Sequence, residues 1–322
     1  MSSADDIIER RRLRRKVTFW RISAFLVLAG FILALAGVAG VFEAFGKKAG
    51  DHIARIEIDG VIGNDEEMVE LLEELGEKDQ VKAIVLKISS PGGTTVGGEA
   101  LFEAVRDLAG KKPIATSVGT LATSAGYMVA SASDHIVARR SSIVGSIGVL
   151  FQYGNASELL DKIGVEVDAV KSSPLKAEPS PFNPTSEEAK EMLARVVDDS
   201  YDWFLGLVTE RRGFTPAKAR SLADGSIFTG AQGLENGLID EIGDEDTAKK
   251  WLVDEKGIDE DLDFVDWKPD RNDERFDAAN ALAQTIARMA GADLPAAAAE
   301  ELRGFIRRHL FLDGLVSVLH IE

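Results

Sequence analysis

The chain has 322 residues, of which 45% are hydrophobic and 28% charged, and its formal net charge is −17. Such a length holds one large domain or two small ones, and such a charge excludes a general nucleic-acid binder, which presents a basic stripe. There is no cysteine, so disulfides, thiolate catalysis and cysteine-held metals are excluded too.

The charge is unevenly spread. Arg10, Arg11, Arg12, Arg14, Arg15, Lys16 and Arg21 stand against Asp5, Asp6 and Glu9, so residues 1–21 are net +4. Directly after them, Ile22 to Phe42 ("ISAFLVLAGFILALAGVAGVF") are 21 residues without a charge. At about 1.5 Å per residue, a helix of this length crosses the roughly 30 Å hydrocarbon layer of a bilayer. One transmembrane helix is therefore expected over 22–42. The basic segment 1–21 is then cytoplasmic, and the chain from Glu43 onward lies outside, in a bacterial periplasm. A cleaved signal peptide is the rival reading, because "LAGVAG" offers small residues for cleavage. The apolar run exceeds the roughly 7–15 residues usual for a signal peptide, which favours an uncleaved anchor.

"GKKAG" (Gly46 to Gly50) reads as a hinge, and strand-like runs then alternate with helical patterns. "HIARIEIDGVI" predicts a strand, and Asn64 to Leu75 a helix with Asn64 as its cap. "VKAIVLKIS" predicts a strand, Gly97 to Leu108 a helix, "PIATSV" a strand, and Ser124 to Ser133 a helix. "HIVA" and "SIGVLFQYG" follow as strands, then a helix over Ala156 to Ile163 and a strand at "VEVDAVKS". Repeated strand–helix units with short turns predict a parallel α/β core. Past Pro184 helices dominate: Ser186 with Glu187 and Glu188 opens a long one, and Phe228 to Gly243 suggests a short helix and a terminal strand. The domain is expected to cover 51–243. Residues 244–322 form an acidic and helical extension whose final "LVSVLHIE" either helps close an oligomer or lies in a groove like a product peptide.

The candidate chemistry begins at "SSPGG", Ser89 to Gly93. A Pro-Gly-Gly turn after a buried strand frees backbone N–H groups and permits close approach of a substrate, although most such turns are only turns. Ser124 in "GTLATSAGYMVA" stands 31 residues after Gly93 at a strand-to-helix boundary. There a serine is either a helix N-cap or a nucleophile beside an oxyanion hole. A nucleophile needs a base. The histidines (His52, His135, His309 and His320) offer no partner by spacing, and His135 in "DHIVA" reads as structural. Lys171 and Lys176, in "KSSPLKAEPSPFNP", leave an apolar segment, and a lysine desolvated in such a place becomes neutral and basic.

The order "SSPGG", "LATSAGYMVA", "SSIVGSIGVL", "KSSPLKAEPSPF" and "DGSIFTGAQGLENGLIDEIG" resembles the signal peptide peptidase A (SppA) family of membrane-anchored serine proteases. The likeness covers Ile53 to Gly243. It implies an α/β fold, a spiral of ββα units like that of ClpP and the crotonases, and a Ser–Lys dyad. Carried over, the nucleophile falls on Ser124 and the general base on Lys176, 52 residues later. Gly93 and the N–H of Ala125 fall at the oxyanion hole, and Ser146 in "VGSIGV" falls on the hydroxyl that orients the lysine amine. The chain departs from the family where "TSAGYM" replaces "ASGGYY" and "DHIVA" replaces "DKIVA". Ala125 still offers its N–H, and the second change touches no catalytic position. The resemblance further implies no metal or cofactor, cleaved signal peptides and other apolar peptides as substrates, and a ring-like homo-oligomer in which neighbouring subunits share the dyad. Two alternatives stay open, an acyl-CoA hydratase or isomerase on the crotonase fold and a non-catalytic membrane scaffold.

Overall fold

The computed structural model describes residues 19–23, 48–270 and 316–318. Residues 19–23 are helical, and the rest of the span expected over 22–42 lies outside the described residues. Among the described residues, no helix is long and apolar enough to cross a membrane. The chain divides into a unit ending at His52 and a larger one from Ile53 onward, which carries the sheet.

The strands are β1 (His52–Ile62), β2 (Val81–Thr94), β3 (Ile114–Thr123), β4 (His135–Ala138), β5 (Ile143–Gly145), β6 (Ile227–Thr229), β7 (Glu241–Ile242), β8 (Phe264–Trp267) and β9 (Val316–Val318). The helices are α1 (Glu66–Gly76), α2 (Thr95–Ala109), α3 (Ala125–Ala132), α4 (Ser157–Ile163), α5 (Glu187–Arg212), α6 (Pro216–Leu222), α7 (Gly230–Asn236) and α8 (Glu245–Lys256). The main path of the sheet runs β6-β5-β3-β2-β1-β8, with β4 and β7 continuing from β3 and β9 joined to β2. The sheet is mixed: β5–β6 and β2–β9 are antiparallel, whereas β1–β8, β2–β3, β3–β4, β3–β5 and β4–β7 are parallel. The body of the sheet is thus the expected parallel α/β core, to which β6 and β9 add antiparallel pairs.

The near-continuous apolar run of β2 follows from burial on both faces, because successive side chains point to opposite sides. Ile84, Leu86 and Ile88 join the large core with Leu72, Leu101, Tyr127, Met128 and Phe204. Ala83 and Val85 face the other way, into a smaller core closed by Ala248 and Leu252 of α8. The extension expected from residue 244 thus begins inside the same fold: α8 covers one sheet face, and β8 pairs in parallel with β1.

β3 is the strand that positions the site, because it changes partner along its length. Ala115 to Val118 pair with β4, while Leu121 to Thr123 pair with β5, placing Gly145 opposite Thr123.

Three local expectations are corrected. Asp65, not Asn64, caps α1, its carboxylate accepting the Met68 N–H at 3.0 Å. The run "SIGVLFQYG" (Ser146 to Gly154) is not a strand: it holds a single bridge at Leu150, and the regular strand β5 (Ile143–Gly145) lies just before it. "VEVDAVKS" is irregular: its valines are exposed, and among the described residues no strand pairs with it. A strand needs a partner for its N–H and C=O groups, and β-rich composition cannot supply one.

Candidate active site

Ser124 occupies the N-cap position of α3 yet makes no side-chain capping bond, and its backbone sits at φ 55°, ψ −121°. Most L-residues avoid that conformation, at a cost on the order of 1–3 kcal/mol, and it persists only where surroundings over-determine it. Here they do. The Ser124 N–H donates to Gly145 O at 2.8 Å, and the Ser124 carbonyl accepts the Met128 N–H at 2.9 Å. β5 therefore grips one side of the turn and α3 the other. The serine is buried, as is every residue of α3.

The far end of α3 is held as firmly. Arg106 donates to Ala132 O at 2.7 Å, and Arg211 donates to Ser131 O at 3.0 Å and Ser133 O at 3.1 Å. Cations at a helix C-terminus satisfy its last carbonyls and oppose its dipole, leaving the positive end aimed at Ser124. Tyr127 ties the helix to the segment before β7 by donating to Leu238 O at 2.8 Å, and burial pushes its phenol well up from the ordinary range.

Small residues around Ser124 serve close packing between elements. A Cβ on Gly126 would lie 2.9 Å from Ser90 O, and one on Gly98 would lie 3.0 Å from the Ala125 Cβ. Gly93 is the tightest position, since a Cβ there would fall 1.8 Å from Ile62 O. Ser90 braces the turn before it, its Oγ accepting the Gly92 N–H at 3.1 Å. The turn keeps Gly92 at φ +112°, which only glycine adopts freely.

The sequence-predicted residues fall into two groups. Ser124, Ala125 and Ser146 meet at one corner, because Gly145, the acceptor of the Ser124 N–H, directly precedes Ser146. Ser146 also has a positive φ, 52°, and its N–H donates to Ser226 O at 2.7 Å. Gly93 is the penultimate residue of β2, which neighbours β3 and whose last ladder pair with it is Ser90 with Ala122. Lys176 stands apart, on a segment where Ser180 is the one buried residue between Gly148 and Glu188. Its side chain is exposed, and among the described residues its amine makes no hydrogen bond or ion pair.

Lys171, the other candidate base, is committed elsewhere: its amine lies 2.5 Å from Glu178 Oε1. That bond holds the Glu178 carboxyl below the ordinary carboxylate range, helped by the Ser180 N–H. Sequence reading missed Glu178 as the residue separating the two lysines, and its place seven positions after Lys171 carried no helical or strand period to reveal it. His135 is structural, stacked on Trp251 with ring centroids 4.6 Å apart and with Nε2 3.4 Å from Glu241.

The profile of peptidase family S49 matches residues 106–259, and that of the Clp proteases matches residues 57–151. A putative protease of Synechocystis is 36% identical over 211 residues, covering 65% of this chain and 76% of that protein. The chain belongs to the S49, or signal peptide peptidase A, family. It is a serine-type peptidase with a Clp protease-like α/β fold. A putative signal peptide peptidase SppA of Enterococcus faecium is 35% identical over 211 residues, 64% of this chain and 60% of that protein. Protease 4 of Haemophilus influenzae is 31% identical over 236 residues, 69% of this chain but 38% of its own length.

Proposed function

We propose that the chain is a membrane-anchored endopeptidase that uses Ser124 as nucleophile and Lys176 as general base to cleave remnant signal peptides and other apolar peptides. The observation that carries the reading is the backbone of Ser124, a strained strand-to-helix turn whose serine does not cap its helix. Such turns present a nucleophilic hydroxyl beside the first, unpaired N–H groups of the helix. In the proposed reaction Lys176 takes the Ser124 proton as the hydroxyl attacks a peptide carbonyl. The N–H groups of Gly93 and Ala125 hold the oxyanion, and one such donor is worth roughly 2.7–4 kcal/mol. The protonated amine then passes its proton to the leaving nitrogen, and water releases the acyl group by the reverse route.

The exposure of Lys176 supports a dyad completed between subunits of a ring-like homo-oligomer. An amine in water carries a proton and cannot accept another, whereas cover by a neighbour removes the water that favours the charge. Leu159, Ile163 and Val170, exposed on the same arm, supply an apolar surface for that neighbour. The apolar run 22–42, with its basic flank, supports a single-pass anchor that leaves the catalytic domain periplasmic at a bacterial inner membrane. Ser146, beside the Ser124 corner, orients the incoming amine.

The deciding experiment assays an apolar fluorogenic peptide with the full chain and with Ser124→Ala and Lys176→Ala. Loss of turnover by about 10³-fold or more is expected in both. Near-normal turnover in either one overturns the dyad.

A further inference from the structure

β6 is the outer strand of the sheet's main path, and among the described residues its far edge pairs with no strand. The bonds at its two ends show which groups that edge presents. The Ser146 N–H donates to Ser226 O at 2.7 Å and the Gly230 N–H to Ser142 O at 2.7 Å, so residues 226, 228 and 230 face β5. Backbone groups alternate along an antiparallel pair, so the N–H and C=O of Ile227 point off the sheet, and its side chain is exposed. Ile227 stands opposite Gly145, the residue that holds the Ser124 N–H. The same chain carries a strand-like segment with nothing to pair against. "VEVDA", Val165 to Ala169, alternates apolar and acidic residues in the period of a half-buried strand, yet every residue of it is exposed. Among the described residues Glu166 and Asp168 make no ion pair. Arg140 is equally exposed and unpaired beside β6, its carbonyl accepting the Ala231 N–H at 3.2 Å.

We infer that Val165–Ala169 of one subunit adds as a strand to the β6 edge of the next, setting Glu166 and Asp168 beside the neighbour's Arg140 and delivering Lys176 to its Ser124 corner. The inference rests on the proposed shared dyad and names the surface that builds it. Strand addition gives the groups of Ile227 and of the incoming segment the partners each lacks alone. It also covers an open edge that otherwise invites unspecific pairing. Opposite charges on the two sides steer the encounter and fix its register. The segment and the edge are different patches, so the contact is head-to-tail, the kind that generates a ring when the rotation closes. Reach agrees with this. An added strand lies about 5 Å from β6 and about 10 Å from β5. Lys176 follows Ala169 by seven residues, which extend to at most about 25 Å.

The chain has no cysteine, so introduced thiols report this contact alone. Ile227→Cys is combined in turn with Val165→Cys, Val167→Cys or Ala169→Cys in the detergent-solubilised full chain, and each form is oxidised with copper phenanthroline. Opposed residues of paired strands have Cα atoms within the roughly 4.4–6.8 Å that a disulfide bridges. At least one combination should therefore link subunits into dimers and higher bands about tenfold faster than any single-cysteine chain. The same dimer should form when Ile227→Cys chains are mixed with chains bearing only the partner cysteine. No combination faster than the single variants, or a link closed within one chain, overturns the inference. Charge provides a second route that spares the core, since all three residues are exposed. Arg140→Glu should raise the concentration at half-assembly about fivefold, and adding Glu166→Arg and Asp168→Arg should restore it. Unchanged assembly in Arg140→Glu, or no restoration, also overturns it. The two readings fail in different ways. Links that form while Lys176→Ala keeps normal turnover sink the dyad, and absent links with an inactive Lys176→Ala sink the docking alone.

Discussion

Ser124 stands where β3, α3 and β5 meet, with all of α3 buried behind it, whereas Lys176 stands on an arm where Ser180 alone is buried between Gly148 and Glu188. The first region is held by backbone bonds to Gly145 and Met128 and by two arginines at the far end of the helix. The second is braced locally, by Lys171 on Glu178, and buries almost nothing of its own. The contrast bears on the proposed dyad: one chain fixes Ser124 and the N–H groups proposed as oxyanion donors, while Lys176, the proposed base, is carried on an exposed surface that a partner would have to cover to remove its water.

The largest effect that could break this comparison is complementation between two inactive variants. Ser124→Ala and Lys176→Ala subunits, mixed equally and reassembled, should recover about a quarter of wild-type turnover if neighbours share dyads. No recovery after verified mixing would place both residues of each working dyad in one subunit. Next comes Gly93→Ala, whose methyl would meet Ile62 O at 1.8 Å. It should cost about 1–3 kcal/mol in denaturant unfolding, and the displaced donor about 10²-fold in kcat. A variant as stable and active as wild type would show that the turn is not fixed as described.

On the arm, Val170→Glu combined with Phe182→Glu should lower the assembled mass and, with it, turnover by severalfold. Both residues are exposed in the single chain, so core unfolding should shift by no more than about 0.5 kcal/mol. A large shift would mean that the arm packs on its own domain. At the proposed nucleophile, Ser124→Gly should abolish turnover yet raise stability by about 1 kcal/mol, because glycine adopts φ 55° freely. A destabilised glycine variant would show that the turn stores no strain.

The smallest effect concerns acid, well away from both regions. Arg55 and Asp266 face each other across β1 and β8, and the arginine holds the Asp266 carboxyl below its ordinary range. A depressed carboxylate contributes stability that is present above the ordinary carboxylate range and lost as pH falls through its folded value. The pair is partly exposed, so its share is small. Asp266→Asn should flatten the acid side of the Tm–pH curve slightly, and an unchanged curve would remove this pair from the account.

Much of the interior was legible because β2, β3 and β4 are apolar runs bounded by turn residues, and because Ser186 and its acidic first turn announce α5. The candidate site was legible as an order of motifs, with Ser124, Gly93, Ser146 and Lys176 each named by its surroundings in the chain. Where reading failed, the deciding partner lay elsewhere. "VEVDAVKS" has strand composition and, among the described residues, no strand beside it, and the acidic stretch after Gly243 gave no sign that α8 and β8 would complete the core. Asp65 displaced Asn64 as cap because two adjacent residues could each serve, and the chain entering from β1 presents only one of them to Met68.

By itself the sequence determined which segments are apolar enough to be buried, where turns must fall and which hydroxyl, amine and glycines carry the family pattern, since these follow from residue type and spacing. Only the tertiary structure decided that Ser124 is bent out of its capping role, because that requires Gly145 to reach it across the sheet. It also decided that Lys171 is spent on Glu178 while Lys176 is left in solvent, and that Val316–Val318 pairs with Gly92–Thr94. Each is a contact between residues that share no local period, and local physics cannot choose among such partners until the fold has brought them together.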